Sequence, residues 1–218
     1  MNSPIIQLLV LAGIAVFLIL RLKNVLGTRE GFEKPPVQVP SPSRKRADFE
    51  VIEGGPDPDI ADHTEGMPDA AEALAKMKAA EPSFGVSDFL GGARGAYEMI
   101  LMGFERGDMA DIKPFLDDDV YASFAEVVEM REKQGLKVEA NFVGIREMSL
   151  ADATFDEATG IGEVTVRFIG EMTFVVRDKA GEIVEGDEKK TKRQKDVWTF
   201  ARKMGSSDPN WQLVATGE

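Results

Sequence analysis

EVTVRFIGEMTFVVR, residues 163–177, alternates with a period of two. Val164, Val166, Phe168, Met172, Phe174 and Val176 share one parity, and Gly170 falls in the same series. Glu163, Thr165, Arg167, Glu171, Thr173 and Arg177 take the other. This alternation marks a strand with one buried and one solvated face, the antiparallel kind. At about 3.3 Å per residue so long a strand overruns a small core unless it bends. Gly170 is the natural place for the bend.

The neighbouring segments continue the sheet. Asp178-Lys179-Ala180-Gly181 is a turn, and a return strand runs from about Glu188 to Lys203 through Val197, Trp198, Thr199 and Phe200. Ser206 to Asn210 turns again, and Trp211, Leu213 and Ala215 alternate in a last strand. Before residue 163, Val138 to Leu150 also alternates, with a change of face near Gly144 that predicts a bulge.

Earlier still the period becomes helical. Ala70, Ala73, Leu74 and Met77 set a short helix over 69–80, stopped by Pro82. Phe89, Leu90, Ala93, Tyr97, Ile100, Leu101 and Phe104 give the next a wide apolar face over 83–106, with Ser83 or Ser87 as its cap. Gly107 ends that helix, Asp108 opens a short turn, and Lys113-Pro114 breaks it. A further helix spans about 117–133 and closes at Gly135. Helices followed by a meander of long strands predict an α+β fold.

The amino-terminal part has another character. Residues 4–20, PIIQLLVLAGIAVFLIL, carry no charge. As a helix this run spans roughly 25 Å, near the thickness of a hydrocarbon core. Ile5, Ile6, Leu8, Leu9, Val10, Leu11, Ile14, Val16, Phe17, Leu18, Ile19 and Leu20 supply the apolar surface, and Arg21 and Lys23 reach the headgroups. Residues 4–26 are therefore expected to form a single transmembrane helix. The basic flank follows the span, which places the amino terminus outside and the folded domain in the cytoplasm. A cleaved signal would carry its charge before the apolar run.

Residues 27–68 hold seven of the eleven prolines and many acids, and read as a disordered tether. Arg44, Lys45 and Arg46 form a small basic cluster within it, and His63, the one histidine, falls there too. Residues 69–218 are left as one α+β domain. With a net charge of −12 the chain lacks the basic face that nucleic acid requires. No cysteine is present, so disulfides and thiolate chemistry are excluded.

FLGGARGAYEMILMGFERGD (89–108), VVRDKAGEIVEGD (175–187), DVWTFAR (196–202) and PNWQLVAT (209–216) together resemble, in this order, the Tim44-like domain family. The resemblance implies a cone-shaped, nuclear-transport-factor-two-like domain of helices packed on a curved antiparallel sheet. The anchor and linker resemble an alphaproteobacterial branch of that family, which implies a bacterial inner membrane. The mitochondrial relatives tether a heat-shock chaperone to the protein-import channel and touch cardiolipin-containing membrane. Here the expected membrane span stands in place of their long amino-terminal region.

Asp117, Asp118 and Asp119 sit at a helix start, where capping explains them without catalysis. With Tyr97, Tyr121, Arg94 and Arg131 they are the residues a catalytic pocket would draw on, and none forms a nucleophile–histidine pair. No cofactor or metal motif is present. Tyr97, Leu101, Phe104, Phe124, Phe168, Phe174, Trp198 and Phe200 are candidates to line an apolar pocket for an acyl chain or peptide, against the alternative of ordinary core packing. Lys189, Lys190, Lys192, Arg193 and Lys195 form a basic run that either faces anionic lipid or protects a strand edge. The expected function is a membrane-anchored, non-enzymatic adaptor that binds a membrane-protein or chaperone partner. The alternatives are a lipid- or small-apolar-ligand-binding module and an enzyme of the cone fold.

Overall fold

The computed structural model describes residues 57–217. The expected span at 4–26 and residues 27–56 of the tether lie outside them. Among the described residues no helix is long and apolar enough to cross a membrane.

Among the described residues, five α-helices precede four antiparallel strands. The helices are α1 (Pro58–Ala61), α2 (Pro68–Ala80), α3 (Val86–Arg106), α4 (Met109–Ile112) and α5 (Asp118–Gln134). The strands are β1 (Lys137–Asp156), β2 (Ile161–Arg177), β3 (Ile183–Lys203) and β4 (Gln212–Gly217), in the sheet order β1-β2-β3-β4. This is the expected mixed fold, with helices gathered on a meander.

The helix boundaries follow local chemistry. Gly107 and Gly135 close α3 and α5 with φ of 80° and 69°, the left-handed conformation glycine adopts without strain. Asp117 caps α5 by accepting from the Val120 amide at 2.8 Å. Neither Ser83 nor Ser87 caps α3. The Asp59 carboxylate does so from far upstream, accepting from the amides of Val86 (2.6 Å) and Ser87 (3.0 Å).

That contact corrects the tether boundary. Residues 57–68 are part of the folded unit: Ile60 is buried in the core, and Asp57 pairs with Lys78 at 2.5 Å. His63 lies in the same segment and bonds Ser87 Oγ at 3.1 Å, so the domain does contain an imidazole. Burial of Ile60 and the cap supplied by Asp59 hold a stretch whose prolines and acids suggested a linker.

The core lies between the helices and one face of the sheet. Val164, Val166, Phe168 and Met172 of β2 meet Trp198 and Phe200 of β3 there, and α2 and α3 pack against β1. Tyr97 stacks on Phe168 at 4.4 Å and tilts against Trp198 at 4.7 Å. Gly170 admits this ring, because a Cβ there would sit 2.7 Å from the Tyr97 hydroxyl.

The strands bend through breaks in register. β1 shifts at Phe142/Gly144, as its change of face predicted. In β3 the shift is larger: Met172 pairs with Lys192 and Phe174 with Asp187, so residues 188–191 bulge from the ladder. Parity slips there. Val175 is buried, whereas Phe174 and Val176 are only half-buried, contrary to the unbroken alternation of the sequence.

Candidate functional site

The last turn of α3 brings Glu105 beside Arg131 of α5, at 3.2 Å. The Arg131 guanidinium also lies 4.7 Å from the centre of the Phe104 ring, which packs on Phe124 at 4.5 Å. This pair borders a cleft of about 220 Å³ at the end of the sheet nearest the β3 bulge. Met172, Phe174 and Val138 line its strands, and Glu185, Lys192 and Gln194 come from β3. Lys192 Nζ sits 4.8 Å from the Phe174 ring centre. A second cleft of about 380 Å³ shares Val138 and Phe174 and adds Arg106, Asn141 and Glu188.

Burial pushes the Glu105 carboxyl above its ordinary value, and Arg131 opposes that shift. Gln194 links the cleft to a buried polar group. Its Nε2 donates to Asp196 Oδ1 at 3.1 Å, and Asp196 Oδ2 accepts from the Tyr97 hydroxyl at 2.5 Å. Burial raises the Tyr97 phenol strongly, reinforced by its bond to Asp196, so the hydroxyl stays a donor. The carboxylate is thereby satisfied inside the core, as a buried charge must be.

The eight expected lining residues fall in different places. Tyr97, Leu101, Phe168, Trp198 and Phe200 are packed in the core. Arg131 lies over Phe104, which packs on Phe124, and of the eight Phe174 lines both of these clefts. Helical and strand periodicity marks burial but does not separate a core ring from a lining one. Glu105, Glu185 and Gln194 escaped sequence reasoning. They lie apart in the chain, and only the fold brings them together.

The five basic residues also separate. Lys192 points to the Phe174 side, Arg193 bonds Glu171 at 3.2 Å, and Lys190 meets Asp187 at 3.5 Å. Lys189 stands in the bulge, and Lys195 is exposed beyond it. Asp117 serves as a cap, and Arg131 as a cleft residue.

Residues 70–218 match the family model described as the Tim44-like domain. The chain belongs to the Tim44-like domain family. It is 24% identical over 147 residues to the human mitochondrial import inner membrane translocase subunit TIM44, covering 66% of this chain. It spans about a third of that relative's length, 32%. A solved structure, the intermembrane space region of chloroplast protein ARC6, aligns with a TM-score of 0.42 at 10% identity, over 59% of this chain and 94% of the other. The Tim44-like match begins in α2, so α1 and its Asp59 cap precede the matched region.

Proposed function

We propose that this protein is a membrane-anchored, non-enzymatic adaptor. Residues 4–26 would hold a Tim44-like domain at the cytoplasmic face of a bacterial inner membrane. There the domain binds a membrane-protein or chaperone partner in membrane-protein biogenesis or translocation. The family match over residues 70–218 carries the reading, since a relative that shares the domain is a subunit of an inner-membrane translocase. Tethering raises the local concentration of a weakly binding domain near its partner, so modest contacts suffice.

The site chemistry supports a binding role. Glu105 and Arg131 neutralise each other, and the Asp196 carboxylate is held by Tyr97 and Gln194. The domain carries the nuclear-transport-factor-two-like cone in this reading. A lipid or small apolar ligand is the second reading, favoured by Phe174, which lines both clefts. The 220 Å³ cleft alone is smaller than the roughly 300 Å³ at which small-molecule sites begin.

Affinity capture in detergent tests the adaptor. The full chain should retain a defined membrane-protein or chaperone partner that a chain lacking residues 57–218 loses. Recovery of a stoichiometric lipid or metabolite with the full chain, and no protein, would favour the second reading instead.

A further inference from the structure

Phe174 lines both clefts, and the strand ladder sets charges around its ring. On β2 it stands between Met172 and Val176, whose cross-strand partners on β3 are Lys192 and Glu185. The bulge at 188–191 separates those two in the chain, yet the smaller cleft takes both. Glu105 enters the same cleft from α3, with its side chain 15% exposed. Two carboxylates and the face of a ring thus line one hollow, the surroundings that hold an ammonium or a guanidinium group.

Lys192 fills that role within the chain. Its Nζ lies 4.8 Å from the Phe174 ring centre. Burial raises the Glu105 carboxyl and Glu185 adds to the rise, whereas Arg131 and the Lys192 charge pull it down, so this ammonium is felt inside the cleft. The two cations are held differently. Arg131 bonds Glu105 at 3.2 Å and lies over Phe104. Lys192 is exposed, and neither it nor Glu185 joins an ion pair among the described residues. Its ammonium rests on a ring face at the end of a flexible four-carbon stem, and it can swing into solvent at small cost.

We propose that this cleft receives a lysine or arginine side chain of the protein partner, laid over Phe174 toward Glu105 and Glu185, and that Lys192 occupies the place until the partner displaces it. One cation replaces another, so the charge balance of the cleft is the same in both states. The chain's net charge of −12 draws a basic segment toward it. In the adaptor reading the domain stands at the cytoplasmic face, where the loops of membrane proteins are enriched in Lys and Arg. Self-occupancy lowers the apparent affinity by the fraction of molecules whose place is filled, which keeps the partner releasable. The inference rests on the adaptor reading and names the side-chain chemistry by which the partner is recognised.

The test uses the full chain in detergent and three short fluorescent peptides that differ only at a central arginine, glutamine or glutamate between alanines. Anisotropy titrations should show the arginine peptide binding at least about tenfold more tightly than the other two. Lys192→Ala should tighten the arginine peptide about threefold by vacating the ring face. Lys195→Ala removes an equal charge from an exposed position outside both clefts and should leave binding unchanged. Glu185→Gln, also at an exposed position, should weaken the arginine peptide about threefold. Equal binding of the three peptides, equal tightening by the two lysine variants, or weaker binding by Lys192→Ala would overturn the assignment. Since the probes are synthetic, that failure leaves the detergent capture to judge the adaptor reading separately.

Discussion

Tyr97→Phe removes one oxygen from the centre of the domain and should cost about 2–3 kcal/mol. The Tyr97 ring is fully buried, and its stacking on Phe168 at 4.4 Å and contact with Trp198 at 4.7 Å survive the change. What disappears is a 2.5 Å hydrogen bond to the Asp196 carboxylate. A bond to a charged acceptor contributes about 1.5–3 kcal/mol, and leaving the buried oxygen short of a donor places the loss in the upper part of that range. Against a typical domain stability of about 5–15 kcal/mol this is a large fraction. Urea denaturation of the full chain in detergent, followed by tryptophan fluorescence, measures it, since Trp198 lies against the altered ring. In an Asp196→Asn background the same substitution should cost about 1 kcal/mol or less, because a neutral acceptor gives a weaker bond. A loss below about 0.5 kcal/mol in the native background, or an equal loss in both backgrounds, would refute the reasoning.

Gly170→Ala should destabilise by about 1–3 kcal/mol through overpacking against Tyr97, and Tyr97→Phe should relieve much of it because the hydroxyl is the nearest atom; a double-mutant cycle reads the coupling. Asp59→Ala should cost about 1–2 kcal/mol and speed amide exchange over 58–64, since the carboxylate caps α3 from α1. Arg202 bonds both Glu81 oxygens at 2.8 Å, and with the Gly205 amide it holds that carboxyl below its ordinary value. A lowered folded value means that stability from this pair is present above the ordinary carboxylate range and lost as pH falls through the folded value. Glu81→Gln should therefore cost about 2 kcal/mol at neutral pH, with Arg202 only 8% exposed, and the gap to the native protein should close in acid; denaturation curves at stepped pH check it.

The elements with strong local signals were legible in the sequence. Alternation over 163–177 located β2, Gly107 and Gly135 located the helix ends, and the change of face near Gly144 located a register shift. Segment 57–68 was not, because Ile60 is held by tertiary burial and Asp59 acts across 27 residues of chain. Asp196 looked like a charge flanking a basic run, whereas strand parity turns it inward with Trp198 and Phe200. The basic run looked like one patch, yet alternation and a bulge send its members in different directions. The cleft assembles Glu105, Arg131, Lys192 and Gln194 from three elements, and no local pattern joins residues so far apart.

Crosslinking in intact membranes, followed by mass spectrometry, tests the central claim most directly. The full chain should give adducts with a defined membrane-protein or chaperone partner. Deleting residues 57–218 should abolish them, and deleting residues 1–26 should reduce them by removing the anchor. Adducts that persist without the domain, or a full chain that crosslinks to no protein, would contradict the account.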